Sequence, residues 1–179
     1  MTYLIRDASC SDVGLLAGLI RGSFQDVAQR FGLTVENSPR HPSNCTDEWI
    51  VSEMEKGVHY YVLQTADGSP RGCAALEHAS RKKCYLERLG VLPAYRGKGY
   101  GTALVEHVLK ACRQTGADLL QIGIISADTT LSSWYETLGF KETHTATFAH
   151  LPFEVSFMVK VVKEKRTAQR ELSTGKKRE

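Results

Sequence analysis

The stretch Tyr85-Leu86-Glu87-Arg88-Leu89-Gly90-Val91-Leu92-Pro93-Ala94-Tyr95-Arg96-Gly97-Lys98-Gly99-Tyr100-Gly101-Thr102 decides how this chain is read. An apolar strand runs into three alternating glycines, and the apolar period of a helix follows. Such a turn builds an anion site. The first amides of a helix have no intrahelical acceptor, and the helix dipole favours negative charge beside them. Gly97, Gly99 and Gly101 remove the Cβ atoms that would keep a phosphate off the backbone. Arg96 and Lys98 add positive charge, and a guanidinium can grip phosphate with two hydrogen bonds. Two phosphate-binding patterns do not fit. A Walker A loop needs GxxxxGK[ST], but Gly90 and Gly97 are seven apart and Lys98 is followed by Gly99. A dinucleotide fingerprint needs GxGxxG, and Thr102 stands at its third glycine.

Working outward, the chain punctuates itself. Tyr3–Arg6 reads as a short strand. Ser11 and Asp12 can cap a helix carrying Val13, Leu15, Leu16, Leu19 and Ile20, which runs to Phe31 with a possible break at Gly22. Gly32–Cys45 is a long loop of the kind that serves as a lid or binding segment. Thr46-Asp47-Glu48 opens a second helix that ends near Gly57. Val58–Thr65 and Gly72–Ala79 form a hairpin about the turn at Ala66–Pro70, and Cys84–Leu92 is a third strand. The helix after the glycines places Leu104, Val105, Val108, Leu109 and Cys112 on one face as far as Gln114. Leu119–Ile125 is apolar throughout, as expected of a strand buried on both faces. A helix over Asp128–Leu138 stops at Gly139, a strand begins at Phe140, and Phe153–Val162 is the last. The order is β-α-α-β-β-β-α-β-α-β-β, an α/β chain with a mixed, α+β-like sheet.

Length and composition fit one domain of ordinary size. The chain has 179 residues, 42% hydrophobic and 24% charged, which excludes wholesale disorder. The longest run without Asp, Glu, Lys or Arg is Thr143–Phe153, eleven residues, whereas a membrane helix needs about 20. The N-terminus meets Arg6 and Asp7 at once, unlike a secretory leader. The five cysteines are odd in number and form no CxxC pair, so free thiols in a cytoplasmic setting are expected, with no metal. From Lys160 to Glu179 there are eight basic and three acidic residues, leaving residues 1–159 with 15 basic against 17 acidic. The body is near neutral, which argues against a nucleic-acid partner. Residues 163–179 read as a basic C-terminal tail dispensable for chemistry.

Arg96-x-x-Gly99-x-Gly101, preceded by Val91-x-Pro93, resembles the acetyl-CoA signature of the GCN5-related N-acetyltransferase (GNAT) superfamily. Trp134-Tyr135-Glu136-Thr137-Leu138-Gly139-Phe140 is similar to that family's later helix-to-strand segment, at the right separation and in the right order. The resemblance covers roughly residues 1–162. It implies splayed central strands with helices on both faces, acetyl-CoA as co-substrate, an amine acceptor, direct acyl transfer and, commonly, a homodimer.

The resemblance also implies site residues. Leu89, Gly90 and Val91 would offer backbone groups to the pantetheine arm, with an N–H near Val91 polarising the thioester carbonyl. Backbone amides from Gly97 through Lys98, Gly99, Tyr100 and Gly101 to Thr102 would hold the pyrophosphate. Many members carry a CoA-contacting Asn where this chain has Asp128, whose carboxylate accepts but does not donate. Tyr135 would protonate the departing thiolate, the alternative being an amphipathic Tyr closing a helix end. Glu87 stands where several members place a base or an amine-binding acid, and Tyr85-Leu86-Glu87 is similar to the polyamine acetyltransferases. It could hold an ammonium, deprotonate it through water, or form a structural ion pair.

Strand parity puts Tyr85, Glu87, Leu89 and Val91 on one face and Cys84, Leu86, Arg88 and Gly90 on the other. His107 falls with Glu106 and Lys110 and reads as solvated. His41, in the long loop, and His78, on a strand, are weak catalytic candidates. Trp49, Tyr60 and Tyr61 read as core before they read as an acceptor pocket. Acceptor choice is expected to lie within Ser11–Gly57. The candidate acceptors are small-molecule primary amines, polyamine-like or amino-acid-like, or a protein N-terminus; a silent acyl-CoA sensor is the non-enzymatic alternative.

Overall fold

The computed structural model describes residues 2–162, so the basic segment 163–179 and the expectation placed on it lie outside the described residues. Seven strands form one sheet: β1 (Tyr3–Asp7), β2 (His59–Thr65), β3 (Pro70–Ser80), β4 (Lys83–Val91), β5 (Leu119–Ile125), β6 (Lys141–Thr147) and β7 (Glu154–Val161). Their spatial order is β1-β2-β3-β4-β5-β7-β6. The β4–β5 pair is parallel and the others are antiparallel. The helices are α1 (Val13–Phe31), α2 (Asp47–Glu55), α3 (Tyr100–Gln114) and α4 (Thr129–Thr137). The element order and mixed sheet expected from sequence are borne out.

Alternation along the strands divides the core in two. Tyr60 and Val62 of β2, with Cys73 and Ala75 of β3, face Leu16, Ile20 and Ile50 of α1 and α2. Tyr61, Leu63, Ala74 and Leu76 face the opposite side, where Leu104, Val105 and Val108 of α3 are fully buried. Tyr135 and Phe140 complete that second layer. The five apolar positions expected on the inner face of α3 are all buried there.

The helix α1 runs unbroken through Gly22, whose bare face meets the Leu92 side chain. A Cβ there would lie 3.0 Å from Leu92 Cδ2. Gly32 ends the helix with φ +62°, and its N–H reaches the Ala28 and Gln29 carbonyls. His107 is half-buried rather than solvated, its ring 4.6 Å from that of Tyr61 on β2.

Strand parity fails within β4. The register passes from Cys73↔Gly90 to Ala75↔Glu87, so Arg88 and Leu89 together oppose Ala74. This is a β-bulge, and Arg88 takes φ +52°, the one positive φ outside glycine among the described residues. The bulge exchanges the two faces of the strand. Cys84 and Leu86 before it, and Leu89 and Val91 after it, pack on the α3 side. Glu87 pairs with Ala75 on the α1–α2 side, and Arg88 reaches Glu53 of α2 on that same side. The expectation that Glu87 and Arg88 point to opposite faces is therefore corrected. A strict period of two cannot register an inserted residue.

The bulge brings Gly90 against α1. A Cβ at Gly90 would sit 2.7 Å from Ser23 Cβ, atoms fixed close to two backbones. Gly90→Ala is expected to cost about 1–3 kcal/mol by overpacking. At roughly 2–4 °C per kcal/mol for a chain of this size, the melting temperature falls by several degrees. A thermal melt that matches the parent would contradict the close approach.

Candidate active site

The strands β4 and β5 pair only at Lys83↔Leu119, Cys84↔Leu120 and Tyr85↔Gln121. Beyond Tyr85 they diverge, and a cleft of about 800 Å³ opens between them. Leu89, Gly90 and Val91 form one wall, and Ile122, Gly123 and Ile124 face them. The edge of β4 toward β5 thus has no strand partner there, and its backbone groups are left for a ligand.

The glycine turn closes one end of this cleft. Gly97 has φ +72° and Gly99 +80°, both left-handed, and Gly99 is the N-cap of α3. A Cβ on either would meet nothing within 4 Å, so these glycines serve backbone conformation and open space. Gly101 differs. A Cβ there would lie 3.3 Å from the Trp134 ring, so its bareness lets α3 and α4 close on each other. Gly97, Gly99, Tyr100, Gly101 and Thr102 line the cleft, with first-turn amides directed along the helix axis. The geometry fits a phosphate-bearing ligand held by backbone.

The charged residues of the turn are placed otherwise. Arg96 Nε donates to the Val91 carbonyl at 3.0 Å, and Nη2 donates to the Ser23 carbonyl at 2.6 Å. Its guanidinium also pairs with Asp26 at 2.5 Å, which holds that carboxyl below its usual range. Arg96 therefore ties the turn to α1 and β4, although part of it still borders the cleft. Lys98 is not among the lining residues, and its Nζ lies 5.1 Å over the Tyr95 ring. Tyr95 in turn accepts from Arg71 at 2.8 Å.

Asp128 is buried at the N-cap of α4, where it accepts from the Leu131 N–H at 3.2 Å. Its other oxygen meets Arg30 Nη2 at 2.5 Å. Arg30, from the last turn of α1, lines the cleft and supplies the donors that a carboxylate lacks. Nothing in the sequence pairs two residues 98 apart, so this contact was not legible there.

Tyr135 and Glu87 both line the cleft. Tyr135 is 5% exposed, held edge-on by Trp134 at 4.7 Å and Phe140 at 5.3 Å. Burial drives its pKa well above the ordinary phenol value, and the charge of Glu87 adds to the rise. The phenol is thus held protonated, as an acid must be. Glu87 opens onto the cleft, yet the surrounding chain dehydrates it enough to raise its pKa. Arg88 opposes that rise, while Glu77 and Glu53 add to it.

His41, Arg88, Phe24 and Ser23 join the wall; Ser23, Phe24 and His41 lie within the Ser11–Gly57 region expected to choose the acceptor, and Arg88 is not singled out as lining by the sequence. His41 is buried, and its Nδ1 accepts from the Ser43 N–H at 3.3 Å. Burial and then Arg88 push its pKa down to about 4, so the ring is neutral at ordinary pH. His78 stays on an exposed part of β3, outside the cleft lining. Tyr60 and Tyr61 are buried core residues, as expected. Among the described residues no cluster of three or more His, Cys, Asp or Glu has the arrangement of a metal site. No helix among them is long and apolar enough to cross a membrane.

The forked sheet, the glycine turn at its mouth and the Tyr135 helix define an acyl-CoA transferase architecture. Residues 23–140 match the model of the acetyltransferase (GNAT) family, and the chain belongs to that family. It is 30% identical over 81 residues to streptothricin acetyltransferase of Streptomyces lavendulae, covering 45% of this chain and 43% of that one. It is 29% identical over 75 residues to N-alpha-acetyltransferase 50 of Danio rerio, covering 41% and 45%. The matched stretches thus span under half the length of these relatives. The fold is similar to that of the paiA N-acetyltransferase of Thermoplasma acidophilum, solved in complex with coenzyme A. That likeness has a TM-score of 0.73 and 20% identity over 90% of this chain and 99% of the other.

The raised pKa of Glu87 has a consequence for stability. The folded protein holds this proton more tightly than the unfolded chain, so ionising Glu87 costs stability as pH rises through its folded pKa. Glu87→Gln is expected to melt higher than the parent at pH 7. The gain should fade as pH falls below the ordinary glutamate value of about 4.3, where both states are protonated. A variant that melts lower at pH 7 would mean that the Arg88 attraction outweighs dehydration.

Proposed function

We propose that this chain is an acetyl-CoA-dependent N-acetyltransferase that passes the acetyl group directly to a primary amine of a small molecule. The observation that carries the reading is the fork beyond Tyr85↔Gln121, which aligns an open strand edge, the glycine turn and Tyr135 along one cleft. Acetyl-CoA supplies an activated acyl thioester when bound, and the remaining chemistry belongs to this chain.

Backbone groups of Leu89, Gly90 and Val91 extend the sheet edge to the pantetheine amides, and the N–H near Val91 donates to the thioester oxygen. The amides from Gly97 to Thr102 bind the pyrophosphate, with Arg96 fixing the turn from behind. Arg30, held by Asp128, provides a cation near the same mouth. Glu87 receives the ammonium and takes its proton, directly or through water. Tyr135 delivers a proton to the leaving sulfur. Its high pKa is matched there, because a thiolate released into the same dehydrated space is also more basic than in water.

Direct transfer is supported by the cysteines. Cys45, Cys73, Cys84 and Cys112 are buried, and no cysteine is among the cleft-lining residues. Burial pushes the Cys73 thiol up to about 12, far from a ready nucleophile. Acetylation of a protein N-terminus is the second reading, supported by the likeness to N-alpha-acetyltransferase 50. Thiol release measured across small amines and short peptides separates the two.

Tyr135→Phe keeps the ring and removes the proton. The expected result is a fall in kcat of roughly 10²–10⁴ under single-turnover conditions. Acetyl-CoA affinity should change by less than about tenfold. Parent-rate turnover by the Phe variant would make Tyr135 structural. Tight acyl-CoA binding by both proteins, with no amine turned over by either, would favour a sensor.

A further inference from the structure

We infer that the acceptor is a compact amino acid whose carboxylate is held by Arg88 while its amine faces Glu87. This rests on the acetyl-transfer reading and names its substrate class. The bulge in β4 puts two oppositely charged, consecutive residues on one face of the sheet, and both line the cleft. Left-handed backbone is disfavoured for a residue with a Cβ, and such strain gathers at functional sites. Here the strained residue lines the cleft together with His41 and Phe24, and its charge acts on the His41 ring.

The Arg88 fork is aimed from behind. Nη2 donates to Glu53 Oε1 at 2.7 Å, and Glu53 is also gripped by the Tyr60 hydroxyl. The Trp49 ring lies 6.0 Å from the guanidinium carbon, and Arg40 covers Trp49 at 5.0 Å. A guanidinium has five N–H donors, and the Glu53 contact uses one of them. None of the Arg88 nitrogens is a buried atom without a partner. The fork is oriented, and it retains capacity for a bidentate carboxylate.

Charge decides between the acceptor types. A polyamine would set its second ammonium beside Arg88, a repulsion in a dehydrated wall. A zwitterion offsets both charges at once, and two neighbouring residues of one strand suit charges separated by a short carbon chain.

The test uses the full chain with acetyl-CoA. Thiol release is followed with glycine, alanine, methionine and glutamate, with the methyl ester of each, and with spermidine. At least one free amino acid is expected to exceed its ester by about 10–100-fold in kcat/KM, the worth of a charge-assisted contact. Arg88→Gln should raise KM for that acid by a similar factor, keep its kcat within a few-fold, and leave the ester unchanged. If Arg88→Gln fails to fold because Glu53 is stranded, Glu53→Gln combined with Arg88→Gln removes both charges and should show the same loss of discrimination.

The same acids and esters are also titrated by calorimetry into protein saturated with CoA. Acids that bind where esters do not, with no thiol released by any amine, would keep the carboxylate pocket and overturn acetyl transfer. Esters or spermidine turned over as well as the acids would overturn the carboxylate pocket and keep acetyl transfer. An equal loss for acid and ester on mutating Arg88 would do the same. Neither binding of acids nor turnover of any amine would overturn both.

Discussion

The parting of β4 from β5 is the constraint on which the rest of the molecule depends. Parallel strands in the middle of a sheet normally pair along their whole length, since an unpaired buried backbone group costs as much as a lost hydrogen bond. Here the pairing stops at Tyr85↔Gln121. The bulge at Arg88 turns the faces of β4, Gly90 lets α1 press against the strand, and the Arg96 guanidinium bonds the Val91 and Ser23 carbonyls. On the other side β5 stays fully paired with β7. One strand is held by its helix and the other by its antiparallel neighbour, and the two diverge between these supports.

The same fork brings a phenol and a carboxylate into electrical contact. Tyr135 comes from α4, which begins just after β5, and Glu87 comes from β4. The charge of Glu87 raises the pKa of Tyr135 across the space between the strands. A phenol and a carboxylate on opposite prongs suit the proposed reaction, in which one proton leaves an amine and another reaches sulfur. Dehydration raises both pKa values, and Arg88 opposes the rise at Glu87.

Much of this was legible in the sequence because it is written locally. The alternating glycines, the inner face of α3 and the apolar run of β5 each follow from short-range periodicity. Where the reading erred, the cause was contact between distant segments. Arg96 looked like a phosphate ligand and is largely occupied by Asp26 and two carbonyls, one of them 73 residues away. Gly22 looked like a helix break and is a close approach to Leu92. Arg88 was assigned to the wrong face because an inserted residue has no signature in the strand itself; it shows only against β3. Arg30 and His41 reach the cleft from α1 and the long loop, where residue type alone separates nothing from surface.

Hydrogen–deuterium exchange with and without acetyl-CoA tests the central claim most directly. The amides of Cys84 and Tyr85, in the paired part of the fork, should be protected in both states. The Val91 amide, on the open edge, and amides from Gly97 to Thr102 should exchange faster in the free protein and slow by at least tenfold when acetyl-CoA is added. Protection that appears elsewhere while these amides stay unchanged would contradict the account, because the fork and its glycine turn would not then be where the acyl donor lies.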